Sequence, residues 1–326
     1  MIFITGITGL VGSWIARELL AQNHTIIALK RSDADISFIK DIEQKIEWIE
    51  GDIFDVAVLA KAIEKSEYVI HAAAMVSFAP KDRKIMYETN VEGTKNMVNV
   101  ALDFPLKKFL FISSIAALGR SKNTEIITEK NEWEDSPLNS FYAKTKFWAE
   151  LEVWRAESEG LKVAVLNPSI VLGEANWEKS STQLFRYAYQ QKSFYPQGTI
   201  NYIDVKDLAK ISVKLLFSDI VGEKFVANAG KTTYLDFLTK TAHLLNKKPP
   251  TKPVKKWMGE LAWRIGAIYS FFTGKAPLIT KETARSSQND FSYSHQKIKQ
   301  TFDFEFTPLE NTLERVCQEL KKRYKL

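Results

Sequence analysis

The sequence predicts an α/β protein with a doubly wound parallel sheet and a smaller, mainly helical C-terminal cap. Short runs rich in β-branched and aromatic residues alternate with longer segments of helical period through the first two thirds of the chain. A glycine-rich turn directly follows the first of these runs. The alternation favours parallel strands covered by helices on both faces, and a glycine turn after the first strand is typical of such sheets.

The predicted core elements can be given in chain order. The strands are 2–5, 25–29, 46–49, 68–71, 109–112 and 163–166, and the helices are 10–20, 56–63, 87–102 and 142–157. After Gly173 the pattern changes, with predicted helices at 176–192 and 204–217, a strand at 224–228 and mainly helix from 232 onward. We therefore expect a dinucleotide-binding core of 1–173, to which 201–229 returns, and a substrate-binding cap of 174–200 and 230–326.

Composition narrows the class of protein and of partner. The 326 residues carry a formal net charge of +6, but the cations are scattered among nearly as many acids, which favours solvated faces over nucleic-acid binding. The single cysteine, Cys317, excludes an internal disulfide and a cysteine-cluster metal site, and we expect no metal. The partner expected is a small-molecule substrate, and a homodimer is left open.

The N-terminus and one apolar stretch bear on location. The N-terminus lacks a basic region and an extended apolar region, so it is predicted to be a first strand in a cytoplasmic protein rather than a signal peptide. The uncharged stretch 265–274 is too short to span a bilayer. Solvation of 257–272 is favoured over peripheral membrane contact.

Gly6, Gly9 and Gly12 lie between a predicted strand and a predicted helix, with the spacing G-x-x-G-x-x-G. In this context glycines permit a tight turn and close backbone approach to a pyrophosphate, which the amides at the helix N-terminus bind. We expect Thr8, Leu10 and Val11 of the same loop to contact the cofactor. The alternative, an ordinary glycine turn, is the minority interpretation at this place in a βαβ unit.

Two cations end the second predicted strand, where an NAD site usually carries an acidic residue. Lys30 and Arg31 suit a ribose 2′-phosphate better than bare hydroxyls, and Arg31 can bind it bidentately. The sequence therefore predicts NADP over NAD, against the alternative that both side chains point to water. Further cofactor contacts are expected from Asp52 to the adenine amino group, from Ile53 to the adenine ring, and from the small residues Ala72, Ala73 and Ala74.

Tyr142 and Lys146 are four residues apart in a predicted helix, so they share one face. A nearby ammonium lowers the pKa of a phenol, which makes Tyr142 a candidate proton donor or acceptor. Two surface residues at this spacing are commonplace. The catalytic interpretation of Tyr142 and Lys146 is strengthened by two other features of the chain. A glycine loop precedes them, and a strand-like run before them ends in Ser113 and Ser114.

Together these motifs resemble the extended short-chain dehydrogenase/reductase family, also described as NAD-dependent epimerases/dehydratases, whose core has a Rossmann-type fold. The resemblance is collinear from residue 1 to about 207 and includes Thr89-Asn90-Val-x-Gly93-Thr94 and Val205-Lys-Asp207. Gly12-Ser-Trp14 and the Arg31 strand ending look most like the dihydroflavonol-reductase and 3β-hydroxysteroid-dehydrogenase-like branch.

The resemblance implies a role for each matching residue. Tyr142 would be the catalytic acid/base, and Lys146 would lower its pKa and bind the nicotinamide ribose. Ser114 would hold the reacting oxygen, and its distance to Gly119 matches the family pattern better than that of Ser113. Pro168 and Ser169 would face the nicotinamide, and Asn90 would tie the central helix to the sheet.

The expected reaction is hydride transfer between NADP and a carbonyl or hydroxyl. The chain reads Ile115-Ala-Ala-Leu118 where nucleotide-sugar dehydratases carry an acidic pair, and Asn167 replaces the arginine of many sugar-active members. The cap aromatics favour an apolar or aromatic substrate if they are not simply core: Trp177, Phe185, Tyr187, Tyr189, Phe194, Tyr195, Trp257, Trp263, Phe271 and Phe272. A nucleotide-sugar epimerase with tightly held NAD(P) and a catalytically silent NADP-binding regulator stay as alternatives.

Overall fold

The computed structural model describes residues 1–120, 126–177, 180–255, 257–261, 263–264 and 280–326. Its strands are β1 (Ile2–Thr5), β2 (Ile26–Lys30), β3 (Ile46–Glu50), β4 (Tyr68–His71), β5 (Lys108–Ile112), β6 (Ile126–Ile127), β7 (Val163–Pro168), β8 (Ile170–Leu172), β9 (Phe194–Tyr195), β10 (Thr199–Asp204), β11 (Glu223–Ala227), β12 (Gly230–Thr233), β13 (Lys252–Pro253) and β14 (Ser292–Tyr293). The predicted core strands 2–5 and 68–71 have the observed bounds, and the others differ by one or two residues.

The central sheet has seven parallel strands in the order β11-β7-β5-β4-β1-β2-β3. The chain proceeds outward from β1 through β2 and β3, and then returns to the other side of β1 to add β4. The order therefore reverses between β1 and β4. In sheets of this kind a crevice opens at that point, beyond the carboxyl ends of the two strands.

The helices are α1 (Leu10–Ala21), α2 (Val56–Glu64), α3 (Arg83–Tyr87), α4 (Gly93–Leu102), α5 (Phe141–Ser158), α6 (Gln183–Tyr189), α7 (Val205–Phe217), α8 (Tyr234–Leu244), α9 (Lys281–Ser286), α10 (Gln296–Phe302) and α11 (Leu309–Tyr324). One apolar cluster joins α1 and α7 to the sheet. A second joins α2, α4 and α5 to its opposite face. The two-sided covering predicted from the strand and helix alternation is confirmed.

The helix predicted at 87–102 is interrupted. A π-helical turn, Glu88–Glu92, separates α3 from α4. The buried Asn90 of this turn uses its side chain amide to bond Met75 and Thr145, so a tertiary contact outweighs regular α-helical geometry here.

The structure contains a second sheet that was not predicted from the sequence. Strands β12, β10 and β8 form it in that order, although mainly helix was predicted from 232 onward and no strand was predicted at 170–172 or 199–204. The predicted helix 176–192 is also too long, because it is a 3-10 turn at Ser180–Thr182 followed by α6. Trp177 stacks on Tyr324 instead, with ring centroids 4.2 Å apart.

The last helix, α11, packs with α6 and α8 in a third apolar cluster. Two buried carboxylates at the start of α7 hold the C-terminal segment. Asp204 accepts hydrogen bonds from Thr312 and Arg315, and Asp207 accepts from the amide and hydroxyl of Thr307. Among the described residues no helix is long and apolar enough to cross a membrane. The stretch 265–274 and the cap aromatics Phe271 and Phe272 lie outside the described residues.

Candidate active site

The glycine loop closes the crevice between β1 and β4. Gly6 has φ +73°, and a Cβ there would lie 2.5 Å from the amide nitrogen of Ala73 and 2.6 Å from the carbonyl of Ala72. A Cβ on Gly12 would lie 2.4 Å from the carbonyl oxygen of Gly6. All three distances are shorter than the contacts that real Cβ atoms make, so Gly6 and Gly12 are required for geometric reasons.

Helix α1 begins directly after this loop, and no side chain caps the backbone amides of its first turn. Its N-cap is Gly9, which offers no side chain to cap the first amides, and the first turn holds no acidic residue. Gly9 is exposed, and Thr8, Leu10 and Val11 are half-buried. Amides left uncapped at a helix N-terminus bind anions, and the helix dipole adds to this attraction. The loop therefore fits the pyrophosphate of a dinucleotide.

The predicted adenosine-side residues lie at the ends of β2, β3 and β4. Lys30 is half-buried, with its Nζ 3.9 Å from a Glu50 carboxylate oxygen, while the Arg31 side chain is two thirds exposed and 3.3 Å from Asp33. The Asp52 carboxylate accepts from the amide of Phe54 at 3.2 Å. Ile53 is buried against Gly93 of α4. Ala72 and Ala73 are half-buried, and Ala74 is exposed.

The predicted catalytic residues come together at the start of α5. Ser140 caps this helix, accepting from the amide of Ala143 at 3.1 Å. The Tyr142 hydroxyl lies beside the side chain of Ser114, which favours its ionised form. One turn further on, the buried Lys146 donates from Nζ to the carbonyl oxygen of Ile112 at 3.0 Å and lies 4.4 Å from the ring centroid of Phe111.

The ionisation of this pair differs from the expectation. Burial raises the pKa of Tyr142 above its usual value, and the side chain of Ser114 only partly opposes it. The expected lowering by Lys146 is therefore wrong for the protein alone, because desolvation of the phenolate is the larger effect. Burial also lowers the pKa of Lys146 to about 8, against the opposing charge of Glu150.

Glu150 was missed by the sequence analysis. It is 3% exposed, and its Oε1 accepts from the Ser113 hydroxyl at 2.5 Å and from the Asn167 amide. The Asn167 amide also donates to the carbonyl oxygen of Ser114 at 3.0 Å. A signal existed, because Glu150 is four residues after Lys146 and so shares its face of the helix.

A buried hydrogen-bonded chain links the glycine-loop strand to α5. The Thr5 hydroxyl lies 2.6 Å from His71 Nδ1, and His71 Nε2 lies 3.1 Å from the Thr94 hydroxyl, which donates to the carbonyl oxygen of Asn90. Asn90 in turn donates to Thr145 at 3.0 Å. Because the Thr94 hydroxyl donates its hydrogen to the carbonyl oxygen of Asn90, it can only accept a hydrogen bond from His71. His71 therefore donates from Nε2 to Thr94 and accepts at Nδ1 from Thr5. Burial lowers the pKa of His71 to about 3.

The end of β7 leads into a polar cluster. Pro168 and Ser169 are buried, and the Ser169 hydroxyl has no hydrogen-bond partner among the described residues. Strand pairing brings Ser169 beside Asn201 and Asn228. These two asparagines donate to the carbonyl oxygens of Phe291 and Tyr293, which fastens β14 over this end of the sheet.

Comparison with known proteins agrees with this geometry. The model of the NAD dependent epimerase/dehydratase family matches residues 2–227. A Synechocystis protein with the provisional name dihydroflavonol 4-reductase is 30% identical over 209 residues, covering 64% of this chain and 60% of that protein. Cinnamoyl-CoA reductase 1 of Oryza sativa subsp. japonica is 27% identical over 228 residues, covering 65% of this chain and 66% of the rice protein. The matched regions thus span less than two thirds of each relative.

A solved structure matches the whole chain. The crystal structure of gox2253 superposes with a TM-score of 0.83 at 26% sequence identity, covering 99% of this chain and 98% of that one. The likeness therefore extends through the C-terminal third, beyond the part that the family model matches.

Proposed function

The chain belongs to the NAD dependent epimerase/dehydratase family. We propose that it is an oxidoreductase that uses NADP to reduce a carbonyl, or to oxidise the corresponding hydroxyl, of a small apolar or aromatic substrate. The observation that carries this proposal is the placement of the Tyr142 hydroxyl beside the Ser114 side chain, one helical turn from the buried Lys146. A phenol held in this way can deliver a proton to one oxygen atom.

The mechanism follows from these groups. A bound nicotinamide supplies or accepts the hydride. During reduction Tyr142 gives its proton to the substrate oxygen, and the Ser114 hydroxyl stabilises the negative charge that develops there. Burial keeps Tyr142 protonated at neutral pH, as a proton donor requires. The ammonium of Lys146 stabilises the phenolate that remains.

The glycine loop, Lys30 and Arg31 would hold the cofactor. Preference for NADP is supported by the exposed guanidinium of Arg31 directly after β2, and by Lys30 and Arg31 standing where an NAD site usually carries an acid. We expect Arg31→Ala to weaken NADPH binding about tenfold or more while NADH binding changes little, because only the 2′-phosphate contact is lost. Fluorescence titration with both cofactors measures this, with Arg17→Ala, two turns into α1, as a control. Equal losses for the two cofactors would argue against the assignment.

The substrate class is proposed from the cap, 174–200 and 230–326, beside a core of 1–173 and 201–229. Phe185 is buried against Phe237, and Trp177 and Tyr189 pack together, so these aromatics belong to the cap core. Trp257, by contrast, is 64% exposed and is available to a ligand. The reductase names of the two relatives support a carbonyl substrate with an aromatic part.

Sugar epimerisation remains a second candidate, because the family description includes epimerases. It predicts cofactor retained through purification and turnover of nucleotide sugars without net cofactor oxidation. The residues Ile115 to Leu118 supply no acid for dehydration, which favours simple reduction.

A panel of carbonyl compounds and nucleotide sugars, followed by NADPH absorbance and product analysis, tests the proposal. Tyr142→Phe should lower carbonyl reduction by about 10²–10⁴-fold and leave NADPH binding intact, because only the proton donor is removed. Tyr68→Phe is the matched control, since Tyr68 begins β4 at the opposite end of the sheet. Unchanged turnover in Tyr142→Phe would show that Tyr142 is not the proton donor. If the protein is instead a catalytically silent NADP-binding regulator, neither the wild type nor the variant should turn over any compound of the panel.

A further inference from the structure

A buried carboxylate lies directly behind the catalytic residues. Tyr142, Lys146 and Glu150 follow one another at intervals of four residues on α5, so their side chains form one stripe facing the sheet. The two residues nearest the sheet are almost fully enclosed, Lys146 at 2% and Glu150 at 3% exposure. An ionisable group buried to this extent costs free energy unless it is paired or hydrogen-bonded.

Glu150 is hydrogen-bonded on the side of Ser114. Its Oε1 accepts from Ser113, the residue before Ser114, and from the amide of Asn167 at the end of β7. The same Asn167 amide donates to the carbonyl oxygen of Ser114 at 3.0 Å. One carboxylate oxygen thus joins α5, the end of β5 and the end of β7 around Ser114, the residue beside the Tyr142 hydroxyl.

Glu150 is also the opposing charge that acts on the Lys146 ammonium, one turn further along α5. The charges that act on Glu150 are Lys146 on its own helix and Lys224 on β11, and both favour its ionised form against the larger effect of burial. The charge that acts on Lys146 is Glu150, which opposes the loss of its proton. His71, at the end of β4, is held neutral by burial, and the nearby charge of Lys146 lowers its pKa further.

We propose that Glu150 is a positioning residue, which fixes Ser114 through Ser113 and Asn167 and holds Lys146 in its charged form. It contacts none of the reacting atoms and acts only through these three neighbours. The inference deepens the proposed function and rests on it, since it concerns the same proton donor and its support.

The first test separates the charge from the hydrogen bonds. Glu150→Gln keeps an oxygen that can accept from Ser113 and Asn167 but removes the negative charge. Lys146 then loses its proton at lower pH, so the alkaline limb of the kcat profile for carbonyl reduction should move down by about half a pH unit or more. KM for NADPH should stay within about twofold, because the glycine loop is untouched.

Glu152→Gln is the matched control. It makes the same substitution two residues away on α5, where Glu152 pairs with Arg155 near the surface, and its pH profile should coincide with that of the wild type. Asn167→Ala tests the tether to Ser114 separately, with an expected fall in kcat of about tenfold or more at unchanged NADPH affinity. An unmoved alkaline limb in Glu150→Gln, in a wild type that turns over, would overturn the inference alone.

A readout without turnover keeps the two proposals distinguishable. The pKa of the Lys146 ammonium can be followed by NMR on protein with labelled lysine side chains, in the wild type and in Glu150→Gln. A lower pKa in the variant supports the inference even if no carbonyl compound is reduced, which would count against the proposed function only. Equal pKa values in the two proteins would overturn the role of Glu150 whether or not the enzyme is active.

Discussion

At the scale of single residues, the conformation of the glycine loop depends on the absence of a side chain at Gly12. A methyl group on Gly12 would lie 2.4 Å from the Gly6 carbonyl oxygen, 2.7 Å from its carbon and 2.9 Å from the Cα of Ile7. All three atoms belong to the backbone, so no side chain can rotate away to make room. The turn itself must move, and with it the amides at the start of α1.

We therefore expect Gly12→Ala to weaken NADPH binding about tenfold or more and to lower the melting temperature. Overpacking of a rigid site costs about 1–3 kcal/mol, which supports both effects. Titration of NADPH and thermal unfolding measure them. Gly259→Ala is the control, because a Cβ there meets only the Cβ of Ala284 at an ordinary 3.8 Å. Wild-type affinity in Gly12→Ala would contradict the tight-turn account.

Sequence spacing found those residues of the candidate site that act locally. Tyr142 and Lys146 were paired because four residues make about one helical turn. The glycines were recognised as a cofactor loop because strand, turn and helix follow one another directly. The buried hydrogen-bonding roles of His71 and Glu150 were not predicted, since their partners Thr94 and Ser113 are 23 and 37 residues away in the chain. The direction of the Tyr142 pKa was wrong for a related reason, because burial depends on the whole fold and is not visible in a four-residue spacing.

At the scale of elements, β-rich runs marked the inner strands β1, β4, β5 and β7 because these are buried on both faces and so read as nearly continuous apolar segments. The second sheet lacks this signal. In β12, Gly230–Thr233, no residue is buried, and β8 has three residues directly after β7. Short strands with mixed polarity are assigned by their pairing partners, which lie elsewhere in the chain.

The start of α7 also shows an element held by distant contacts. The buried Asp204 caps α7 through the amide of Lys206 and binds Arg315 of α11 through both carboxylate oxygens at 2.8 and 2.9 Å. Asp204→Ala should lower the free energy of unfolding by about 1.5–3 kcal/mol, because Thr312 and Arg315 lose a buried charged partner while Arg315 keeps Glu174. Glu319→Ala on the same helix breaks a surface pair with Lys322 and should cost less than about 1 kcal/mol. Denaturant unfolding compares the two, and similar losses would refute the clamp.

At the scale of the whole molecule, stability should depend on pH through His71. Its pKa is about 3 in the folded protein against an ordinary 6.5, so the unfolded chain binds one more proton between these values. The stabilising contribution of neutral His71 is therefore full above about pH 6.5 and is lost as the pH falls toward 3, at up to about 1.4 kcal/mol per pH unit.

Urea unfolding at a series of pH values measures this slope. His71→Gln removes the titrating group, and although the variant is less stable at neutral pH, its stability should change less between pH 6.5 and 4. The carboxylates titrate at the lower end of this window in both proteins, so the difference between the two curves isolates His71. Parallel curves would show that His71 is not held neutral.

The π-helical turn at Glu88–Glu92 sets a constraint on chain length. A π turn accommodates one residue more than an α turn, so removing one residue between Tyr87 and Gly93 would give an unbroken α-helix with better internal hydrogen bonds. That repair would rotate the preceding helix by about 100° and carry Asn90 away from Met75 and Thr145. In this segment a deletion is consequently more damaging than most substitutions, and a library for directed evolution should vary residue identity there while keeping its length constant.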